Sequence, residues 1–261
     1  MKKQIRQLVE NIFDDIYDID VSNITDMSNL FYELDPHNID IRFWDVSNVE
    51  NMDMMFFYCN NFNCDLGYWD VSKVTNMSHM FWRCKNFKGQ GLDKWDIHNV
   101  RETTEMFFNC ENFDCDLSNW DVSMISNMSA MFYNCFKFKG NGLDTWNVGF
   151  VKNMSQMFLN CEKFDCNLSN WDVSSVIRMD EMFRYCESFK GDGLDEWVPI
   201  NAVNMSYMFF SCKLFDCNVS KWKVNNVDDM SYMFAGCLKF RGIGLNKWKP
   251  EKLKKMSKLD V

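Results

Sequence analysis

Only three prolines stand among 261 residues, which argues against long linkers between separate units. No apolar run approaches the ~18 residues that a membrane-spanning helix needs. The start, "MKKQIRQLVENIFDDIYDI", mixes acids and amides into its apolar positions and lacks the apolar stretch and cleavage site of a secretory signal. A basic excess is missing too. The net charge of −9 disfavours general nucleic-acid binding, which relies on a cationic footprint. That charge is uneven: residues 221 to 261 hold ten Lys or Arg against four Asp or Glu, about +6, and leave about −15 on the rest. What the chain has is apolar bulk, 47% of residues, with 16% aromatic, enough for a substantial core. The expectation is an intracellular protein whose twelve cysteines are reduced thiols.

Tryptophan exposes the organisation. Trp44, Trp69, Trp95, Trp120, Trp146, Trp171, Trp197, Trp222 and Trp248 are spaced 25, 26, 25, 26 to the end, and Trp82 alone is off this grid. Eleven residues after each of the first eight comes a Met-Phe pair, from Met55-Phe56 to Met233-Phe234. Four residues after each Met stands a Cys: Cys59, Cys84, Cys110, Cys135, Cys161, Cys186, Cys212 and Cys237. The return to the next Trp alternates between "FNCDLGYW" and the longer, two-glycine "FKGQGLDKW", so the true unit is a pair of coils, 51 residues long. A worn copy precedes Trp44, with Ile19, Leu30-Phe31 and Leu34 in the Trp, Met-Phe and Cys places.

These spacings predict an α/β repeat solenoid of nine to ten coils, leucine-rich-repeat-like, with one short parallel strand and one short helix per coil. "WDVS" reads as the strand, Trp and Val inward and Asp outward. Met77, Met80, Phe81 and Cys84 follow i, i+3, i+4, i+7 spacing and predict a two-turn helix with Ser78 as N-cap. Residues 1–18 carry apolar spacing from Ile5 to Tyr17 and predict a capping helix. Residues 19–249 form the single-domain array, and residues 250–261 a lysine-rich cap. Pro199 occupies a strand position held elsewhere by Val, which predicts a weakened ladder and a local bend.

The Trp and Cys columns read as core. The C-x4-C pairs such as Cys59/Cys64 recur two coils apart, about 10 Å, too far to share one zinc ion. "GQGLD", "GNGLD" and "GDGLD" read as tight return turns rather than cation loops. His37, His79 and His98 occupy unrelated coil positions, and no nucleophile elbow or phosphate loop appears, so neither an enzyme nor a cofactor is expected. The outward strand column Asp45, Asp70, Asp96, Asp121 and Asp172 is either absorbed by local turn hydrogen bonds, the preferred reading, or offered to a basic partner. Trp82 is the other candidate contact.

The phrases "MFxxCxxF" and "LSxWDVSxVxxM" resemble the BspA-like leucine-rich repeats, tandem repeats of unknown function found in bacterial surface lipoproteins and giant-virus proteins. The resemblance covers about residues 19 to 259. It implies a leucine-rich-repeat-like solenoid and, for secreted members, surface recognition. Without a signal sequence, an intracellular or viral member is expected here. The function expected is a monomeric, non-enzymatic scaffold that binds a protein partner through its extended surface. The alternative is an assembly component of a virion or surface layer.

Overall fold

Asp26, Asn51, Asn76, Glu102, Asn127, Asn153, Arg178, Asn204, Asp229 and Lys255 form one unbroken column of parallel bridges, one residue per coil. The structure, a computed structural model, describes Lys3, Arg6, Gln7, Ile16, residues 19–36 and residues 39–255. Successive coils therefore stack in chain order, and the column runs past residue 249, the expected limit of the array, to Lys255. The capping helix expected over residues 1–18 lies largely outside the described residues, as do His37 and the tail after Lys255. Of that segment, Lys3, Arg6 and Gln7 are helical. Arg6 donates to the carbonyls of Asn29 and Tyr32 at the first coil.

The segment expected to be a helix is the ladder itself. Met77, His79, Phe81 and Arg83 donate their amides to the carbonyls of Glu102, Thr104, Met106 and Phe108 on the next coil, at 2.7–2.9 Å. The intervening Met80, Trp82 and Cys84 bond back to Met77, His79 and Phe81. In an α-helix all of these amides bond four residues back within their own segment. Because alternate amides leave the coil, overlapping β-turns form instead. The first and last turns of each such run are of the kind that calls for a positive φ at the third residue. His79 (φ 55) and Arg83 (φ 58) supply it, as do Glu105 and Asn109, Gln156 and Asn160, and Glu181 and Tyr185 in other coils. Each non-glycine there costs about 1 kcal/mol. Inter-coil bonds on both sides hold it in place.

The inward set survives this change. Met77, Met80, Phe81 and Cys84 are all fully buried, since the turns and a helix share the same spacing of inward positions. Ser78 is not an N-cap. Its amide is itself capped by Asn76 Oδ1 at 2.9 Å, an arrangement repeated at Asn127–Ser129, Asn153–Ser155 and Asn204–Ser206.

The Trp-Asp-Val stretch alternates as expected, with Trp44 and Val46 buried and Asp45 exposed, yet its Asp and Val amides make no bond to a neighbouring coil. The link there is the indole. Between residues 19 and 255 the architecture is therefore not one strand and one helix per coil. Among the described residues it consists of isolated bridges, turns and four 3₁₀ helices, Leu92–Lys94, Leu143–Thr145, Leu194–Glu196 and Leu245–Lys247. The same fact removes the weakness expected at Pro199. The Val amide it replaces belongs to no ladder, and Val203 still donates to the Ile177 carbonyl at 2.9 Å. The ring stack does change there: Trp197 and Trp222 are tilted by 20° and Trp222 and Trp248 by 14°, against 1–6° for the five pairs from Trp69 to Trp197.

The 51-residue unit has a steric cause. A return of the first kind turns through an Asp or Asn side chain, as where Gly67 donates to Asp65 Oδ1 at 2.9 Å. The glycine return stacks against it so closely that a Cβ on Gly91 falls 2.1 Å from the Gly67 nitrogen, and one on Gly89 falls 2.7 Å from the Cys115 Cβ. Gly89 and Gly91 both hold positive φ as well. The glycine return therefore fits between two side-chain-capped ones, and from Trp69 onward the kinds alternate.

Two substitutions separate strain from clash. Gly142→Ala places a methyl 2.2 Å from the Ser118 nitrogen at φ +85 and is expected to destabilise by at least about 2 kcal/mol. Ser211→Gly relaxes a positive-φ residue in a column where Gly236 already stands, and is expected to stabilise by up to about 1 kcal/mol. Urea titration of both variants checks this, and the opposite ranking contradicts the turn geometry.

Candidate interaction face

Three faces of the coil bear on function, and the inward one comes first because it consumes most of the reactive chemistry. Every Trp on the grid donates its Nε1–H to a carbonyl of the preceding coil, Trp44 to Ile16 through Trp248 to Val219, at 2.7–3.0 Å. Trp44 to Trp222 are buried and Trp248 partly so. Burying one such ring contributes a gross ~4 to 6 kcal/mol. The thiols act in parallel. Cys59, Cys84, Cys110, Cys135, Cys161, Cys186, Cys212 and Cys237 each donate Sγ–H to the Phe carbonyl of the coil before, at 2.8–3.1 Å. A buried carbonyl that also accepts an amide in its own turn gains a second donor, which Ala or Val could not supply. Burial pushes the Cys59 thiol up to about 12, and holds those of Cys84, Cys110, Cys135, Cys186 and Cys212 well above the ordinary range. These cysteines are hydrogen-bond donors, far from the thiolate state that nucleophilic or metal chemistry requires.

On the second face the Asp column is exposed, and each carboxylate caps its own turn. Asp45, Asp70, Asp121 and Asp172 accept the amides of Ser47, Ser72, Ser123 and Ser174 at 2.9–3.1 Å, and Asp96 accepts that of His98 at 3.2 Å. The serine hydroxyl beside each, followed by the serine amide, lowers the carboxyls of Asp45, Asp70, Asp121 and Asp172 below their usual value. The preferred turn bond is thus in place. One carboxylate oxygen per residue is bound into the turn, and this column holds no array of wholly free charges.

The third face lies on the outside of the ladder, and there Trp82 is not alone. Tyr32, Phe57, Trp82, Phe108 and Tyr133 occupy one position in five successive coils. They stack face to face at centroid distances of 4.8, 4.4, 5.3 and 4.3 Å. All five are half-buried. The column is readable in the sequence as the residue after each Phe of the Met-Phe pair, but a helical reading leaves Trp82 as an isolated exception.

Arginine completes this face at two places. Arg83 lies over the rings of Tyr58 and Trp82, 5.3 and 4.9 Å away, while Trp82 Nε1 donates to Glu105 Oε2 at 3.0 Å. Four coils on, about 19 Å along the stack, Arg184 lies over Tyr185, Tyr207 and Phe210 at 4.9–5.1 Å and donates to Glu181 at 2.6 Å. Among the described residues, the only buried side-chain polar atoms without a hydrogen-bond partner are Arg83 Nε and Arg184 Nε.

These features define the class: a tandem-repeat solenoid whose core is the same set of residues in every coil. The family follows from comparison. Three successive stretches, residues 1–117, 84–197 and 190–259, match the family described as "Mycoplasma protein of unknown function, DUF285", and the chain belongs to that family. No curated protein matches it. Among solved structures it is similar to a crystal structure of a TLR13-ssRNA13 complex, at 10% identity and a TM-score of 0.22. That alignment covers 84% of this chain and 48% of the other, so the chain spans about half the length of that structure. No helix among the described residues is long and apolar enough to cross a membrane.

The buried thiols set an alkaline limit. Their folded-state pKa is raised above the unfolded ~8.5, so their contribution is fully present below pH 8.5 and is lost as pH rises towards the folded value. Each costs about 1.4 kcal/mol per pH unit in that window. Between pH 9 and 10, Cys110→Ala with Cys135→Ala is expected to flatten the fall of unfolding free energy by about 2–3 kcal/mol per pH unit. An unchanged slope in urea titrations contradicts the assignment.

Proposed function

We propose that this chain is a non-enzymatic recognition scaffold that binds a protein partner through the outer face of its ladder. The observation that carries the reading is the pair of arginine–aromatic clusters on one surface, Tyr58–Trp82–Arg83 and Arg184–Tyr185–Tyr207–Phe210. Tyr, Trp and Arg dominate interface hot spots because they bury much area at little conformational cost and keep a polar handle. The stacked column offers a partner ring edges rather than ring faces, which suits apolar side chains and carbonyl oxygens better than flat sugar rings. A monomer of BspA-like kinship, working intracellularly or in a giant-virus setting, belongs to the same proposal and is supported by the shared Met-Phe-x-x-Cys and Trp-Asp-Val-Ser phrases.

A second reading, lateral assembly, has its own observation. Met124, Phe150, Ile177, Ile200 and Val203 are exposed apolar residues in four successive coils, between the Trp-Asp-Val stretch and the ladder, and Val198 is exposed in the Asp column beside them.

A photo-crosslinking residue at Met54, on the ladder face, is expected to capture a discrete protein in cells of the source organism. The same residue at Gln90, on the glycine return, captures none, and Trp82→Ala abolishes the product. Equal yields from both positions refute the face assignment. Light scattering separates the two readings, with a constant monomer mass expected, and mass growing with concentration favouring assembly.

A further inference from the structure

The Asp column changes sign at its end. Where earlier coils hold Asp45, Asp70, Asp96, Asp121 and Asp172, the last two hold Lys223 and Lys249. A cavity of about 420 Å³ opens between these two coils. Lys223, Lys247 and Lys249 line it, together with Ser220, Asn225 and the largely buried Trp222. Its volume falls in the ~300–1,000 Å³ range of small-molecule sites.

What sets the lysines of this cavity apart is that three of them line one hollow, whereas Lys88, Lys152, Lys163 and Lys239, whose side chains also lack a described partner, do not gather in this way. Lys85, Lys139, Lys190, Lys213, Lys221, Lys254 and Lys255 each face a carboxylate, usually on an adjacent coil. Lys73, Lys137 and Lys252 are held by Asn side chains of the preceding coil. The side chains of Lys223, Lys247 and Lys249 make no hydrogen bond or ion pair among the described residues. Glu251 reaches the rim, accepting from Asn225 Nδ2 at 3.0 Å, which leaves an excess of two positive charges. Three cationic residues around one concavity, with a single carboxylate at its rim, give it a positive potential that an anion bridging them would stabilise. Two hollows on the glycine returns have the opposite net charge, one lined by Asp93, Asp114 and Asp116 with Lys88, the other by Asp116, Asp144 and Asp165 with Lys139 and Lys163, while a hollow at the first coil is lined by Lys3, Arg6, Ser28 and Asn29.

We propose that this terminal cavity binds a small polyvalent phosphate anion, with Lys223 and Lys249 as its principal ligands and Lys247 at its mouth. The inference is independent of the partner face, which lies on the outside of the ladder. Three ammonium groups match a diphosphate, whose charge is too high for one lysine to neutralise.

Calorimetric titration with inorganic pyrophosphate in low salt tests it. One saturable site per chain is expected, weakened about tenfold or more in the variant carrying Lys223→Gln and Lys249→Gln. The variant carrying Lys252→Gln and Lys254→Gln removes the same charge outside the cavity and is expected to bind within about twofold of the parent. Both pairs are exposed, so unchanged melting temperatures confirm that the fold is intact. Absence of saturable binding overturns the proposal, as does equal weakening in the two variants. A poly-dT strand of about 20 nucleotides binding more tightly than pyrophosphate, with both variants equally impaired, also overturns it in favour of diffuse attraction to nucleic acid.

Discussion

Alternate amides of each ladder segment leave their own coil, and the rest of the molecule is arranged around that division. A residue that donates to the next coil cannot also close a helical turn, so its neighbours must close short turns instead, and every fourth residue is driven to positive φ. Coils locked at this rise bring equivalent rings to stacking distance. The Phe31 to Phe234 column stacks at 5.1–5.7 Å between centroids, and the outer Tyr32 to Tyr133 column at 4.3–5.3 Å.

Side chains add to the backbone bonds between coils. The indole of each grid Trp and the thiol of each in-register Cys donate to carbonyls that already accept one amide within their own turn. This explains residue choices that burial leaves open. Phe in place of Trp95 keeps the ring stack but leaves the Leu66 carbonyl without its second donor. Ala in place of Cys110 does the same to the Phe81 carbonyl. The cysteines are thus part of the adhesive between coils.

The repeat, its 51-residue unit and the inward set were legible in the sequence, because burial is written in spacing. The secondary structure was not. Met77, Met80, Phe81 and Cys84 fit a helix and a run of overlapping turns equally well, and spacing is blind to a hydrogen-bond partner 25 residues away. The same blindness gave Ser78 the capping role that Asn76 holds and expected a break at Pro199, in a stretch that carries no ladder. Trp82 was visible as an exception and its column was not, because the helical reading hid its four stacked neighbours. The basic end is visible as a count of charges; that three of its lysine side chains, without described partners, line one cavity follows only from how the coils stack. A core repeated in every coil leaves functional difference to the outer columns, and it is there, at Arg83, Arg184 and the Asp-to-Lys change, that the coils stop being alike.

The ladder is open to direct observation through scalar couplings transmitted across hydrogen bonds. A long-range HNCO spectrum of labelled protein is expected to join the amide nitrogen of Phe81 to the carbonyl carbon of Met106, and that of Cys84 to Phe81. A correlation from Phe81 to the carbonyl of Met77 instead is the signature of a helix and would contradict the account at its foundation.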